Sequence, residues 1–242
     1  METLTYGRDP AQFGELTRPD GTPRGVAVVI HGGFWHTQYG LGLGRPLAAD
    51  LARRGWIAWN LEYRRMENGG GWPTTFDDIA AGIDRLASVD GLPTDTVVTI
   101  GHSAGGHLAV WAGGRQSFTG AWSNPRVPVT AAISQAGVLN LRAAVAENLG
   151  SGAAQQLMGG EVDARYELAD PTGQIPLTVP VWCLHGDQDD TVPLSQSADY
   201  VAAATAAGAT AKLVEIKGGD HFVLIDPSSS AWARTVEILD GL

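Results

Sequence analysis

A strand, a serine-bearing turn and a helix follow one another in residues 97–111, and this stretch constrains the fold most. Residues 97–100 are the β-branched run of a core strand, and residues 104–111 have a helix-forming composition. Between them stands Gly-x-Ser-x-Gly, a pattern that holds a serine on a strained strand-to-helix turn with its hydroxyl exposed. Gly101 and Gly105 are needed because side chains beside so sharp a reversal would collide. The pattern predicts Ser103 as a nucleophile.

A chain with 32 glycines can contain this short pattern by chance, so a base, an acid and an oxyanion hole must be found elsewhere. The hydrophobic content of 44% suits a sizeable core, and the length of 242 residues suits a single α/β domain over residues 1–242. A formal charge of -10 argues against nucleic acid or an anionic membrane surface as a partner. No apolar leader or bilayer-spanning stretch is found, so a cytoplasmic protein is expected.

Apolar runs alternate with helical segments along the chain, which predicts a mostly parallel sheet with helices on both faces. The broken segments in residues 1–25 suit one or two edge strands. Residues 138–178 have no strand signal, and we predict a small cap or lid insertion there. Thr74 and Thr75 are predicted to cap a helix over residues 76–88. The six predicted strands of the parallel sheet cover residues 26–30, 56–61, 97–102, 131–134, 179–184 and 211–216.

Polar side chains follow four of these strands, at the sheet edge where ligands bind in open parallel sheets. The first strand is followed by the glycine-rich turn 31–35, and a later one by Ser103. The acids of residues 187–190 and then His221 follow the last two strands. The order serine, acid, histidine is the one expected of a serine hydrolase on such a sheet.

These motifs resemble the α/β-hydrolase family, in particular its small esterases and kynurenine-formamidase-like enzymes. The resemblance is carried by His-Gly-Gly-Phe-Trp at 31–35, Gly-His-Ser-Ala-Gly-Gly-His-Leu at 101–108 and His-Gly-x-x-Asp-x-x-Val-Pro at 185–193. It implies an α/β-hydrolase fold with Ser103, Asp189 and His221 as a catalytic triad. The third motif selects Asp189 among neighbouring acids, and the rivals for its role are Asp187 and Asp190.

The predicted oxyanion hole consists of backbone N–H groups. Ala104 follows the nucleophile at a helix N-terminus, and Gly33 and Phe34 lie in the turn after the first parallel strand. His31 is expected to support that turn, and His107 to be structural. Candidates for the substrate pocket are Trp35, Tyr63, Trp72 and His102, with ordinary packing as the alternative for each of the three aromatic residues.

The function predicted from these residues is hydrolysis of carboxylic esters of small or medium acyl groups through an acyl-serine intermediate. The alternative is an arylformamidase that hydrolyses the amide of N-formylkynurenine, and a third hypothesis is a catalytically silent relative that binds a small ligand. We expect a small-molecule ester or amide substrate and no cofactor. A metal site is not predicted, because His185, Asp187, Asp189 and His221 have no recognised metal-ligand spacing. The oligomeric state is left open.

Overall fold

A single β-sheet organises the computed structural model of this chain, which describes residues 1–120 and 122–242. Within these residues the sheet has eight strands in the order β1-β2-β4-β3-β5-β6-β7-β8. The first two pairings, β1 with β2 and β2 with β4, are antiparallel, and all later neighbours are parallel. The strands are β1 (Glu2–Thr5), β2 (Phe13–Thr17), β3 (Val26–Ile30), β4 (Ile57–Leu61), β5 (Val97–His102), β6 (Ala131–Gln135), β7 (Val181–Gly186) and β8 (Ala211–Ile216).

Helices cover both faces of this sheet. Alternate side chains of β3 pack on opposite layers of helices. Val28 belongs to one buried cluster with residues of α2 and α3, and Val29 belongs to another with residues of α1 and α8. A strand covered on both sides needs apolar residues throughout, which explains the uninterrupted Val-Ala-Val-Val-Ile of β3. The helices are α1 (Arg45–Arg53), α2 (Thr74–Asp84), α3 (Ala104–Gly114), α4 (Leu141–Ala146), α5 (Ala153–Met158), α6 (Tyr166–Ala169), α7 (Ser195–Ala206) and α8 (Ser230–Asp240).

The predicted sheet is confirmed: it is mostly parallel with helices on both faces, and the first residues of the chain add two antiparallel strands, of which β1 is the edge strand. Six parallel strands lie where the apolar runs predicted them, with shifts of one or two residues at their ends. The largest shift is at β7, which begins at Val181 rather than at Val179. Pro180 has no N–H to donate to a neighbouring strand, so the ladder starts after it. None of the helices described is both long and apolar enough to cross a bilayer.

The predicted threonine cap of α2 is wrong. The helix begins at Thr74 itself, after Pro73, and among the described residues no side chain caps it. The Thr75 hydroxyl is used elsewhere, because it donates to the carbonyl of Arg64 at 2.7 Å and accepts from the N–H of Gly71 at 2.9 Å. The helix also ends earlier than predicted, and its last turn continues as a 3-10 turn over Arg85–Ser88.

The segment 138–178, which follows β6, carries α4, α5 and α6. It packs on α3 through buried apolar residues and two hydrogen bonds. His107 Nε2 donates to the carbonyl of Ala169 at 2.9 Å, and Trp111 Nε1 donates to the carbonyl of Leu168 at 2.8 Å. His107 thus joins α3 to this segment.

Candidate active site

Ser103 lies at the corner between β5 and α3 with φ 55° and ψ −121°. A residue other than glycine holds such a conformation only where the surrounding structure enforces it. The enforcement here comes from both sides of the corner. Ser103 N donates to the carbonyl of Gln135 on β6 at 2.8 Å, and His107 N donates to the carbonyl of Ser103 at 3.1 Å as α3 begins.

The glycines on either side of the serine are required by close backbone contacts. A Cβ atom on Gly101 would lie 1.9 Å from the carbonyl oxygen of Gly105. A Cβ atom on Gly105 would lie 2.1 Å from the carbonyl oxygen of Ile30, at the end of β3. The steric reason given for both glycines is therefore confirmed, and the second glycine is needed for contact with a neighbouring strand.

His221 lies in the loop after β8, and its Nδ1 donates to Asp189 Oδ2 at 2.7 Å. The other carboxylate oxygen of Asp189 accepts from the N–H groups of Thr191 and Val192 at 2.9 and 2.8 Å. Burial alone would raise the pKa of Asp189, but hydrogen bonds from His185 and His221 outweigh it and hold the pKa well below its ordinary value. The acid next to His221 is therefore ionised at neutral pH.

The two rival acids bind elsewhere. Asp187 Oδ1 accepts from the N–H of Gly218 at 2.6 Å, and the exposed Asp190 accepts from the hydroxyl of Thr191 at 3.2 Å. Of the three, Asp189 is the one that contacts His221.

His185 is a buried neighbour of Asp189, for which the sequence suggested no role. Its Nε2 donates to the carbonyl of Val192 at 2.9 Å and lies 3.4 Å from Asp189 Oδ2, while Nδ1 accepts from the hydroxyl of Ser197 at 2.8 Å. Across residues 1–120 and 122–242 there is no cluster of three or more His, Cys, Asp or Glu suited to a metal ion.

Ser103 and His221 line the same cavity, whose volume is about 50 Å³. Its inner wall includes the buried ring of His102 and the half-buried Leu43, whereas Phe222 and Tyr39 lie at its exposed rim. The remaining lining residues are Gly33, Phe34 and Thr191.

The turn after β3 faces this cavity. Gly33, Phe34 and Trp35 have φ values of 116°, 51° and 58°, so three consecutive residues are left-handed. Gly32 lets the turn approach the serine, because a Cβ there would lie 2.6 Å from the carbonyl oxygen of His102. Within the part of the chain that the structure describes, the N–H groups of Gly33, Phe34 and Ala104 donate no hydrogen bond. Donors at both sides of the serine are thus free to bind an anion.

His102 lines the cavity, as expected of a pocket residue. Its ring centroid lies 4.5 Å from that of His221, and its Nε2 donates to the carbonyl of His221 at 2.8 Å. Burial, with the nearby His221 as a second cause, lowers the pKa of His102 to about 3. The ring is therefore neutral at physiological pH and orients the backbone of His221.

The aromatic pocket candidates Trp35, Tyr63 and Trp72 lie outside the cavity. Trp35 and Tyr63 are buried in the core: the indole packs edge-on against His107, and the phenol stacks on His31 and donates to its carbonyl. Trp72 is half-buried against Phe76. The prediction of these three as pocket residues is corrected.

The aromatic side chains that do line the cavity are Phe34, Tyr39 and Phe222. Phe34 and Phe222 directly follow the predicted site residues Gly33 and His221 in the sequence, so the sequence offered a signal for both. Tyr39 and the aliphatic Leu43 belong to a loop without a motif, and no sequence signal singles them out. The segment 138–178 contacts one of these lining residues. Gly150 packs on the ring of Phe34, since a Cβ on Gly150 would lie 2.4 Å from that ring.

The chain is similar to esterases and lipases of known name. The BD-FAE family profile matches residues 16–203, which leaves His221 outside the matched range. The chain is 27% identical to "Esterase LipQ" of Mycobacterium tuberculosis, over 84% of this chain and 52% of that protein. It is 26% identical to "Monoacylglycerol lipase" of Mycolicibacterium smegmatis, over 76% of each. The chain thus spans about half the length of the first of these relatives and about three quarters of the second.

Solved structures share the fold. The esterase Est2 of the Planctomycetes species Thermogutta terrifontis has a TM-score of 0.80 and 22% sequence identity, covering 99% of this chain and 90% of that one. At this identity the likeness establishes the α/β-hydrolase fold.

Proposed function

This chain belongs to the BD-FAE family, and from that premise we propose that it is a serine hydrolase that cleaves carboxylic esters of small acyl groups. The observation that carries the proposal is the pairing of His221 with the ionised Asp189 on the cavity that Ser103 lines. The names of the relatives, an esterase and a monoacylglycerol lipase, support ester hydrolysis.

In the proposed reaction, His221 Nε2 takes the proton of the Ser103 hydroxyl as Oγ attacks the ester carbonyl carbon. Asp189 accepts from Nδ1, fixes the tautomer and stabilises the imidazolium that forms. The tetrahedral intermediate collapses, and the alcohol leaves with the proton from His221. Water then attacks the carbonyl carbon of the acyl-serine while His221 takes its proton. The second tetrahedral intermediate collapses, and Ser103 leaves with the proton from His221 as the carboxylic acid is released.

The negative oxygen of the tetrahedral intermediate would be bound by the N–H groups of Gly33, Phe34 and Ala104. Donors aimed at this oxygen in advance need no reorganisation during the reaction, and each contributes about 3 kcal/mol to kcat. The free N–H groups of the left-handed turn and of the start of α3 support this assignment.

A small acyl group is favoured by the size of the cavity. A cavity needs about 10–15 Å³ on this measure to hold one water molecule, so a volume of about 50 Å³ suits a group of a few heavy atoms. The neutral ring of His102 and the side chain of Leu43 close its inner wall. Est2 has been solved with propionate and with butyrate bound, and its likeness to this chain supports the same substrate class.

The same small cavity also suits a formyl group, which favours a second candidate function. An arylformamidase would attack the formyl carbonyl of N-formylkynurenine with the same serine and release formate. The two functions differ in the leaving group, an alcohol in one and an arylamine in the other.

The test is a substrate panel combined with covalent labelling. p-Nitrophenyl esters from acetate to octanoate and N-formylkynurenine would be compared by kcat/KM, with Ser103→Ala as the blank. A fluorophosphonate adduct would be located by mass spectrometry. We expect an adduct on Ser103 and the highest kcat/KM for acetate to butyrate. A wild-type protein as inactive and as unlabelled as Ser103→Ala would overturn the proposal and favour a ligand-binding relative.

A further inference from the structure

Glu62, which directly follows β4, is a buried carboxylate with three hydrogen-bond partners and one ion-pair partner. Its Oε1 accepts from His31 Nε2 at 3.0 Å and from Tyr63 N at 2.9 Å, and it lies 2.8 Å from Arg65 Nη1. Its Oε2 accepts from Leu41 N at 3.1 Å. Burial would raise the pKa of Glu62, but the hydrogen bonds, that from His31 foremost, outweigh it and lower the pKa. The group is therefore an anion that gathers donors from two loops of the active site.

The opposite nitrogen of the same imidazole reaches the oxyanion turn. His31 Nδ1 donates to the carbonyl of Gly32 at 2.8 Å. That carbonyl belongs to the trans peptide whose N–H is the N–H of Gly33. In a planar trans peptide the C=O and N–H point in opposite directions, so a bond that fixes one also fixes the other. The orientation of the Gly33 N–H is therefore coupled to the orientation of the His31 ring.

Glu62 determines how the His31 ring is held. Its ionised carboxylate makes a charge-assisted hydrogen bond with Nε2 of the ring, which is stronger than the bond that a neutral amide would make at the same place. Stacking on Tyr63, with ring centroids 4.4 Å apart and planes 15° apart, fixes the plane in which the ring lies.

The same carboxylate supports the cavity wall. Arg65, paired with Glu62, donates from Nη1 to the carbonyl of Tyr39 at 2.6 Å, and the Leu41 N–H is held by Glu62 directly. The segment that carries the lining residues Tyr39 and Leu43 is thus attached at two points to Glu62 and its partner.

We propose that Glu62 is a positioning residue for the reaction, acting through His31 to aim the Gly33 N–H at the developing oxyanion. The proposal rests on the proposed ester hydrolysis at Ser103. Glu62 does not touch the substrate. Its contribution is to hold the Gly33 N–H in place before the reaction. This lowers the activation barrier of the hydrolysis without changing the binding of the substrate in its ground state.

The test is Glu62→Gln, which keeps the size of the side chain and removes its charge. A trifluoromethyl ketone is the probe of the oxyanion site: Ser103 Oγ adds to its carbonyl carbon, His221 takes the proton, and the carbonyl oxygen becomes an oxyanion. We expect kcat on p-nitrophenyl acetate to fall by about tenfold to a hundredfold, as for a displaced catalytic group, with KM within about twofold. The affinity for the ketone should fall by the same factor as kcat/KM.

Glu15→Gln is the matched control. Glu15 is also a buried carboxylate paired with an arginine, since Arg45 Nη2 lies 2.7 Å from it, and it stands on the adjacent strand β2. Its contacts with Arg45 lie away from the oxyanion turn. We expect Glu15→Gln to lower the melting temperature while kcat, KM and ketone affinity stay within about twofold of wild type.

Three results would overturn the proposal while wild type remains active: an unchanged kcat in Glu62→Gln, a fall in kcat equal to that in Glu15→Gln, or a lost kcat with unchanged ketone affinity. Removing one partner of a buried ion pair can prevent folding because the other charge is left alone. In that event the same measurements would be made on the double variant E62Q/R65M, which removes both charges. A double variant that also fails to fold would assign Glu62 to the folding of the chain instead. An inactive wild type would count against the proposed function itself.

Discussion

His221 Nδ1 and Asp189 Oδ2 lie 2.7 Å apart, and the carboxylate of this pair has no exposed surface. A hydrogen bond to an ionised group in such surroundings is stronger than one in water, because little solvent competes for it. The bond holds the imidazole with Nδ1 protonated and leaves Nε2 free to accept a proton. His221 lines the cavity together with Ser103, as the role of base proposed for it requires.

Removing Ser103 or His221, the proposed nucleophile and base, should abolish catalysis. We expect Ser103→Ala and His221→Ala each to reduce kcat by about 10⁴-fold to 10⁶-fold, and the double variant to be no slower than either alone, because the two residues act as a unit. The measurement is single-turnover hydrolysis of p-nitrophenyl acetate, with folding checked by circular dichroism. Additive losses in the double variant would contradict a shared step.

The acid assignment can be tested with neutral isosteres. Asp189→Asn should lower kcat by about 10⁴-fold, since an amide favours the wrong tautomer of His221. Asp190→Asn is the matched control, because its exposed carboxylate binds only the hydroxyl of Thr191 among the described residues. It should keep kcat within about twofold. A larger loss in Asp190→Asn than in Asp189→Asn would contradict the assignment.

The same carboxylate should make stability depend on pH. The folded state lowers the pKa of Asp189 below its ordinary value of 3.8. A lowered pKa stabilises the folded state above the ordinary value, and this contribution is lost as the pH falls below it. The contribution of Asp189 to the difference in unfolding free energy between wild type and Asp189→Asn should therefore shrink as the pH falls below about 4. Urea titrations at several pH values would measure it, and a difference that grows in acid would contradict this reasoning.

The fold and the three candidate catalytic residues were accessible from the sequence because their signals are local. A buried parallel strand such as β3 needs an uninterrupted apolar run, and the glycines around Ser103 follow from the steric demands of one turn. The side chains after each strand then share one sheet edge by topology alone. Ser103 and His221 could be named on that basis, whereas the choice of Asp189 over Asp187 and Asp190 came from the resemblance of residues 185–193 to the α/β-hydrolase motif.

The cavity walls were not accessible in the same way, because side-chain direction in a left-handed turn does not follow from residue type. Phe34 and Trp35 are adjacent and have similar φ values, yet Phe34 lines the cavity and Trp35 enters the core. Tyr39 and Leu43 reach the cavity from a loop held by Glu62 and Arg65 through hydrogen bonds that join residues 21 and 26 positions apart in sequence. Such long-range hydrogen bonds leave no periodic pattern in the sequence.

The acyl-length preference should change when the inner wall is shortened. A second cavity of about 10 Å³ lies behind Leu43 and His102, which line both cavities. Leu43→Ala should join the two and raise the ratio of kcat/KM for butyrate, which is two methylene groups longer, over acetate by about tenfold or more, since one added methylene in an apolar pocket is worth about tenfold or more. Leu47→Ala is the control, because Leu47 lines only the inner cavity of the two. It should cost about 2–4 kcal/mol of stability without changing this ratio, and equal ratios in both variants would contradict the role of Leu43.

The serine turn should fail when its second glycine acquires a methyl group. In Gly105→Ala the new Cβ would lie 2.1 Å from the carbonyl oxygen of Ile30, a backbone atom that cannot move without disturbing β3. Relieving the clash requires the start of α3 to shift, and overpacking of this kind costs about 1–3 kcal/mol or more. Gly42→Ala is the control, since a Cβ there has no described atom within 4 Å apart from those of its two chain neighbours. Because a shift of α3 moves both Ser103 and the Ala104 N–H, phosphonate labelling should slow by more than tenfold in folded Gly105→Ala and stay at the wild-type rate in Gly42→Ala. Equal labelling rates in the two variants would show that the turn tolerates the added methyl group.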